Sequence, residues 1–265
     1  MSNVTIPYSR ALVTGASSGI GEAICYRLDA SGVERIVLVA RDKQRLAEVA
    51  SRLQCDTEIV VADLTCTEDV ERVAEALSNV DLLVNNAGVG SFGPFHRLGT
   101  DQQVAMIDLN CRAPIHLASK ALSHMTEHQH GCVVNIASGM SFQAMPYFST
   151  YSASKAFLLH WSQGVHAELR GTGVRMVAIC PGTFHTNFAE TAAVPLHDIL
   201  GASLVTGSVE EVAQRTIDAI RTNQATVITG FTHRLVLFLN RLAPSALVRR
   251  ITAWAMRRTY RKTID

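Results

Sequence analysis

The stretch LVTGASSGIGEAI, residues 12–24, places three glycines between an apolar run and a segment of helical periodicity. Gly15, Gly19 and Gly21 would let the chain turn tightly and let its backbone N–H groups approach a pyrophosphate, whose charge the start of the following helix would favour. Glycines are common in loops, so the cluster alone is weak evidence. Its position between the first predicted strand and the first predicted helix is what indicates a dinucleotide-binding βαβ unit.

Seven short apolar runs recur along the chain, and segments with helical spacing of apolar residues lie between them. The runs are rich in Val and Ile without polar alternation, which is typical of strands buried on both faces of a parallel sheet. They read RALVT, RIVLVA, TEIVVA, DLLVNN, CVVNIAS, VRMVAICP and ATVITG. The sequence therefore predicts a doubly wound (Rossmann) α/β fold, a seven-stranded parallel sheet with helices on both faces.

The composition is that of a globular protein, with 48% hydrophobic and 18% charged residues in a chain of 265. It excludes collagen-like, disulfide-scaffold and intrinsically disordered classes. Six scattered cysteines form no C-x-x-C pair and have no histidines at zinc spacing, so we expect reduced thiols and no metal site. The N-terminal MSNVTIPYSR has no apolar signal core, and no run of 18 apolar residues occurs. We therefore expect a cytoplasmic protein without a spanning helix.

Charge is distributed unevenly between the body of the chain and its C-terminal end. Residues 231–265 contain eight Lys/Arg and one acidic residue, whereas residues 1–230 contain 16 Lys/Arg and 22 Asp/Glu. In the predicted C-terminal helix one face carries Leu247, Val248, Ile251, Trp254 and Ala255, with arginines mostly outside it. This basic amphipathic pattern is typical of three situations: docking on the acidic body or a partner subunit, or peripheral contact with a membrane. No basic patch interleaved with aromatic residues indicates nucleic-acid binding.

The motifs together resemble the short-chain dehydrogenase/reductase family. Thr14–Gly21 reads T-G-x-x-x-G-x-G, Asn85–Gly88 reads N-N-A-G, and Ser138, Tyr151 and Lys155 match the pattern S…Y-x-x-x-K. The similarity extends over roughly residues 8–230. It implies a single catalytic, dinucleotide-binding domain over 1–230, followed by the helical extension 231–265.

The stretch STYSASKAFLLHW, residues 149–161, places Tyr151 and Lys155 one helical turn apart. The resemblance implies that these two residues form the active site with Ser138 and Asn110. Tyr151 would donate a proton to the oxygen of a ketone, and the Lys155 ammonium would lower the tyrosine pKa from its ordinary value near ~10. Ser138 would orient the carbonyl group, and Asn110 would hold a water that links Lys155 to solvent.

The end of the second strand indicates which dinucleotide is bound. An acidic residue there would accept the ribose 2′-hydroxyl of NAD, but this chain has Ala40 followed by Arg41. Arginine binds a phosphate bidentately, and Ser17 and Ser18 could add hydroxyl donors. We therefore expect NADP(H) in preference to NAD(H), with Asp42 capping the next helix instead.

The resemblance implies further contacts with the cofactor. Asp63 would bind the adenine amino group beside Leu64, while Tyr151 and Lys155 would also contact the nicotinamide side. Asn residues of N-N-A-G could also tie neighbouring strand ends together. The full expected cofactor set is Gly15, Ser17, Ser18, Gly19, Ile20, Gly21, Arg41, Asp63, Leu64, Asn86, Ala87, Gly88, Tyr151, Lys155, Pro181, Gly182, Thr183 and Thr186.

The substrate is expected to be a small molecule, apolar and carrying a carbonyl group. The family usually covers its substrate with the segment after the sixth strand, here a lid at about residues 183–207 that ends before a capping box at Ser208. This lid and two neighbouring loops are rich in apolar side chains. They include Phe92, Phe95, Met140, Phe142, Met145, Phe148, Phe184, Phe188, Val194, Leu196 and Ile199.

The sequence thus predicts an NADP(H)-dependent oxidoreductase that interconverts a ketone and a secondary alcohol. Acyl, steroid-like and polyketide-like carbonyls all suit the apolar lining. The alternative is a non-catalytic NADP(H)-binding regulatory or interaction protein on the same fold. By analogy with the family, we expect a homo-oligomer, a dimer or a tetramer.

Overall fold

A computed structural model describes residues 5–182, 207–230 and 234–264, the last range apart from 236, 238, 239 and 241. Its centre is a sheet of seven parallel strands in the order β3-β2-β1-β4-β5-β6-β7. The predicted doubly wound fold is confirmed. The strands are β1 Arg10–Thr14, β2 Arg35–Ala40, β3 Asp56–Val61, β4 Leu82–Asn85, β5 Gly131–Ile136, β6 Val174–Cys180 and β7 Thr226–Ile228.

Eight α-helices within the described ranges connect or follow these strands. Asp42 accepts a hydrogen bond from the backbone N–H of Arg45 at 3.1 Å, and Ser208 accepts one from Glu211 at 3.1 Å, so both predicted helix caps are present. The helices are α1 Gly19–Ala30, α2 Lys43–Ala50, α3 Thr67–Glu75, α4 Thr100–Ile107, α5 Ala113–Glu127, α6 Ser149–Glu168, α7 Val209–Thr222 and α8 Ser245–Ile264.

The sheet separates two hydrophobic layers. Val13 faces one layer, with Ile24 and Leu28 of α1 and Ile217 of α7. Its neighbour Leu12 faces the other layer, which α3, α5 and α6 complete. Successive residues of β1 are therefore fully buried on opposite faces, which explains why this strand reads as an uninterrupted apolar run. None of the helices in the described ranges is long and apolar enough to cross a membrane.

The C-terminal helix α8 contacts the rest of the domain through a face that includes only part of the predicted apolar stripe. Ala255, Met256 and Thr259 are buried. Three apolar residues of the predicted stripe are exposed instead: Leu247 is 50% exposed, Ile251 56% and Trp254 61%. Self-docking does occur, through Ala255 of the predicted stripe together with Met256 and Thr259, which lie outside it. The part of the stripe formed by Leu247, Ile251 and Trp254 is left uncovered.

Candidate active site

The glycine loop between β1 and α1 requires glycine for two separate reasons. Gly15 and Gly19 adopt φ values of +66° and +58°, which lie in the left-handed region that favours glycine. Gly21 has an ordinary backbone conformation, but a Cβ on it would overlap the carbonyl oxygen of Gly15. The loop is therefore wound closely on the first turn of α1, as a phosphate-binding turn requires.

Asn86 holds this loop against the end of β4. Its Nδ2 donates to the carbonyl oxygens of Thr14 at 2.9 Å and Gly15 at 3.2 Å. The Thr14 hydroxyl in return accepts from the backbone N–H groups of Asn86 and Ala87, both at 3.0 Å. The expectation that asparagine ties strand ends together is confirmed, whereas contact of residues 86–88 with the cofactor stays a prediction.

The structure brings Asn110, Ser138, Tyr151 and Lys155 to the carboxyl edge of the sheet, where all four are buried. Lys155 Nζ donates to the carbonyl oxygen of Ile136 at 2.8 Å. A Cβ on Gly88 would lie 3.1 Å from both Lys155 Nζ and Asn110 Oδ1. Glycine at this position therefore leaves room for the lysine and the asparagine to converge beside the N-N-A-G turn.

Asn110 lies in a single π-helical turn, Asp108–Arg112, between α4 and α5. Its Oδ1 accepts from the backbone N–H of Val89 at 3.1 Å, and its Nδ2 lies 3.0 Å from both the Val89 carbonyl oxygen and the Ser154 hydroxyl. The side chain thus joins the loop after β4 to helix α6, which carries Tyr151. π-Turns often occur at functional sites, because they displace one residue from the regular helix.

Burial dominates the ionisation of the central pair. It raises the pKa of Tyr151 to about 12, although the hydrogen bond with Ser138 acts in the opposite direction. Burial also lowers the pKa of Lys155 to about 8. The expected lowering of the tyrosine pKa by Lys155 is therefore not seen, since loss of hydration outweighs the favourable interactions of the phenolate.

A cavity of about 500 Å³ connects the glycine loop to this cluster. It fits a dinucleotide, because glycine backbone lines one side and the cluster closes one end. The lining contains nearly all of the predicted cofactor and catalytic residues: Gly15, Ser17, Ser18, Gly19, Ile20, Arg41, Asp63, Leu64, Asn86, Ala87, Gly88, Ser138, Tyr151, Lys155, Pro181 and Gly182. Gly21 and Asn110 do not line the cavity, but each contacts a residue that does: Gly21 contacts Gly15, and Asn110 bonds to Val89. Thr183, Thr186 and the predicted lid up to residue 206 lie outside the described residues.

Two arginines face the cavity beyond the end of β2, where one was predicted. Arg41 is largely exposed, with Nη1 3.9 Å from Asp63 Oδ2. Arg45, four residues later on α2, also lines the cavity, and its Nε lies 3.6 Å from Asp42 Oδ2. Arg41 precedes Asp42, the N-cap of α2, and Arg45 lies in the first turn of that helix. The signal in the sequence was a second arginine in the first helical turn after the strand.

An aromatic cluster adjoins Tyr151 on the side away from the glycine loop. Phe148 lies between Tyr151 and Phe92, with ring centroids 6.2 and 4.9 Å away. Helix α8 covers this cluster: Tyr260 stacks on Tyr147 with centroids 4.8 Å apart, and Met256 packs in the same group. Part of the predicted apolar lining is therefore packed against α8, while Met140 lines the cavity and Phe95 and Phe142 are exposed.

A separate polar group, not recognised in the sequence, lies at the end of α5. His124, Glu127 and His128 each offer one ligand atom, and these atoms lie within 4.8 Å of one another. The H-x-x-E-H spacing was its signal. The group belongs to the opposite edge of the sheet from Tyr151, because α5 leads into the amino end of β5.

Comparison with known proteins places the chain among dehydrogenases. The family model described as short chain dehydrogenase matches residues 9–194. An uncharacterized oxidoreductase of Staphylococcus epidermidis is 34% identical over 184 residues, which is 68% of this chain and 80% of the relative.

Two solved structures are similar over most of their length. A short-chain dehydrogenase from Sphingobium yanoikuyae in complex with NADPH is 30% identical, with 83% of this chain and 86% of the other covered and a TM-score of 0.76. The bulky-bulky ketone specific alcohol dehydrogenase from Comamonas testosteroni is 27% identical, with coverage of 91% and 93% and a TM-score of 0.73. The chain therefore belongs to the short-chain dehydrogenase family and is an oxidoreductase.

Proposed function

We propose that this oxidoreductase uses NADP(H) to interconvert an apolar ketone and the corresponding secondary alcohol. The observation that carries the proposal is the convergence of Asn110, Ser138, Tyr151 and Lys155 at one end of a cavity that also presents Arg41. A non-catalytic binding protein would need the glycine loop and Arg41, but it would not need a tyrosine proton donor beside a serine that can orient a carbonyl group.

The residues that would hold the dinucleotide divide along the cavity. The glycine loop and the start of α1 would bind the pyrophosphate, and Arg41 with Arg45 would bind a 2′-phosphate. The bound cofactor would supply the hydride. The Sphingobium relative, which was solved with NADPH, supports this choice of cofactor.

The protein's own side chains would supply the proton that the substrate oxygen receives during reduction. Ser138 would donate a hydrogen bond to the substrate carbonyl, and Tyr151 would transfer its proton to that oxygen as negative charge develops. A tyrosine pKa of about 12 keeps Tyr151 protonated at neutral pH, which suits a donor. The Lys155 ammonium would then stabilise the phenolate that remains. Asn110 would hold the loop after β4 against helix α6, which carries both Tyr151 and Lys155.

An apolar substrate is supported by the surroundings of Tyr151. Met140 and Val89 line the cavity close to it, and Phe148 packs against its ring. The Comamonas relative is described as specific for bulky ketones, which is the same chemical class. A large aryl or alicyclic ketone is therefore the first substrate to assay with NADPH.

The reaction is tested by Tyr151→Phe, which removes the proton donor and keeps the ring. We expect kcat/KM for ketone reduction to fall by about 10²–10⁴, a far larger change than any in NADPH affinity. Tyr147→Phe is the matched control and should retain activity. If the wild-type protein bound NADPH but reduced no ketone in a broad panel, the non-catalytic alternative would stand instead.

The cofactor choice is tested by Arg41→Ala and Arg45→Ala. Each should weaken NADPH binding by about tenfold or more, because a charged hydrogen bond contributes roughly 1.5–3 kcal/mol, while NADH binding stays the same. Arg52→Ala, an exposed arginine whose Nη1 lies 3.9 Å from Glu22 Oε1, is the control. Equal losses for both dinucleotides would contradict the assignment.

We also propose a homo-oligomer in a reducing, cytoplasmic setting. Val104 and Ile107 on α4, Ile115 on α5 and Phe157 on α6 are exposed apolar residues that a second copy could cover. All six cysteines are free thiols, which supports a reducing compartment. Sedimentation equilibrium of the full chain tests the assembly, and a monomer at micromolar concentration would contradict it.

A further inference from the structure

Helix α8 presents two different faces. Its inner face, with Ala255, Met256 and Thr259, is buried against the domain. The outer face carries Leu247, Ile251 and Trp254, whose spacings of four and three place them on one stripe. The inner contact already holds the helix in place, so the outer stripe is not needed to dock α8 on its own domain.

The charged residues that border the outer stripe are all basic. Helix α8 contains six basic residues and no acidic one. Arg250 and Arg257 are exposed along one side of the stripe, and the Arg258 guanidinium lies 6.0 Å from the centroid of the Trp254 ring. An apolar stripe that ends in Trp and has arginines at its border matches the polar–apolar boundary of a lipid bilayer.

We propose that this outer face of α8, Leu247, Ile251 and Trp254 with the bordering arginines, docks on an anionic phospholipid surface. A second copy is the weaker occupant, because a two-fold interface through the same patch would bring arginine against arginine. Anionic headgroups complement those charges, and the acyl region accepts the apolar side chains. The helix that would lie on lipid also covers the aromatic cluster beside Tyr151.

The test is co-sedimentation of the full-length protein with vesicles of phosphatidylcholine alone or with one third phosphatidylglycerol. We expect pelleting only with the anionic vesicles, decreasing as salt is added. Ile251→Ser combined with Trp254→Ser should weaken partitioning at least tenfold. Val61→Ser, at an exposed apolar position that ends the edge strand β3, should leave it unchanged, and both variants should keep the wild-type circular dichroism spectrum.

Two results would overturn the proposal. One is equal pelleting of the double variant and the Val61→Ser control. The other is absence of pelleting together with a change in sedimentation velocity for the double variant, which would assign the face to a second copy. Tryptophan fluorescence gives a direct check, since exposed Trp254 should shift to the blue on vesicle addition whereas Trp161 is partly buried already.

A second, independent inference concerns the group at the end of α5. His124 and His128 are one turn apart, with ring centroids separated by 4.1 Å. His128 Nδ1 lies 2.9 Å from the carbonyl oxygen of His124. A carbonyl can only accept, so this hydrogen bond places the ring proton on Nδ1 and leaves the Nε2 lone pair as a ligand.

We infer that His124, Glu127 and His128 form a binding site for a divalent transition metal such as Zn²⁺. Two imidazoles and a carboxylate are ligands that zinc prefers, and the C-terminal end of a helix favours a cation. The ligand atoms lie within 4.8 Å of one another. Modest rotation of the half-buried His124 and the two exposed side chains would bring them to zinc-binding distance.

Calorimetric titration of the metal-free full-length protein with ZnCl₂ tests this site. We expect one equivalent to bind to the wild type and to His160→Ala, an exposed histidine on α6, with affinity at least tenfold weaker in His128→Ala. Unchanged binding in His128→Ala would refute the site. Loss of binding only in Cys66→Ser, at the exposed thiol, would refute it equally by assigning the metal elsewhere.

Discussion

The carboxyl edge of the sheet and the outer face of α8 invert the usual distribution of residues in opposite ways. At the first, Asn110 is 0% exposed and Lys155 4%, although both are polar. On the second, the apolar residues Ile251 and Trp254 are more than half exposed. Buried polar groups and exposed apolar groups are the informative departures from ordinary burial.

The two departures differ in how they are compensated. Asn110 makes three hydrogen bonds and Lys155 donates to a carbonyl oxygen, so the buried groups are satisfied within the chain. In the described part of the chain, the stripe on α8 has no comparable cover. Buried polar groups whose hydrogen bonds are all made within the chain indicate a preorganised site. Exposed apolar side chains that the chain itself does not cover indicate a surface that binds a partner.

The largest expected effect follows from the close packing of the first region. In Gly21→Ala the new Cβ would overlap the carbonyl oxygen of Gly15. We expect a loss of about 3 kcal/mol or more in the free energy of unfolding, or loss of NADPH binding. In Gly164→Ala, within α6, the Cβ meets open space, so we expect a gain of about 0.5–1 kcal/mol. Urea unfolding measures both, and similar effects would contradict the close packing of the loop.

Asn110→Ala should have the next largest effect. It leaves the backbone N–H and carbonyl oxygen of Val89 without their partner in a partly buried position. We expect the free energy of unfolding to fall by about 2–4 kcal/mol. Gln102→Ala, at an exposed amide on α4, should stay within about 0.5 kcal/mol. An equally small loss for Asn110→Ala would show that the buried network is not an important support.

Much of the first region is readable from the sequence. The apolar runs fix the strands, and parallel strands bring their carboxyl ends together, so the glycine loop, Ser138 and Tyr151 must share one edge. The direction of the Tyr151 pKa shift could not be read in this way. It depends on how completely the ring is removed from water, and the spacing to Lys155 carries no information about that.

The second region was harder to predict, since α8 offers more than one apolar stripe. Periodicity identifies one set, but the buried residues are only partly drawn from it: Ala255 belongs to the set, whereas Met256 and Thr259 do not. The predicted set is Leu247, Val248, Ile251, Trp254 and Ala255. Which set is buried depends on the shape of the surface around Phe92 and Tyr147, residues far away in sequence. The position of Arg45 at the cavity could not be predicted for a similar reason, because it depends on where α2 begins relative to the cavity.

The pH dependence of reduction tests the buried lysine. Burial lowers the pKa of Lys155 from 10.5 to about 8, so its ammonium is present below that pH and lost above it. We expect kcat/KM to fall about tenfold per pH unit above pH 8, since the phenolate loses its positive neighbour. Tyr151, with a pKa of about 12, stays protonated over this range. The test is to measure kcat/KM from pH 6 to 10, with circular dichroism to confirm that the protein stays folded. A flat profile to pH 10 would contradict this role.

The smallest change in the free energy of unfolding is expected for substitutions on the outer face of α8. A small change there would show that this face is not packed against the protein. Ile251→Ala removes side-chain atoms that are more than half exposed, so the free energy of unfolding should change by no more than about 0.5 kcal/mol. Met256→Ala on the inner face should cost about 2 kcal/mol or more, since Met256 is buried beside Phe148. Thermal unfolding of the full chain compares them. If Ile251→Ala were as costly as Met256→Ala, the outer stripe would be packed against the protein itself, and its exposure would no longer require an external partner.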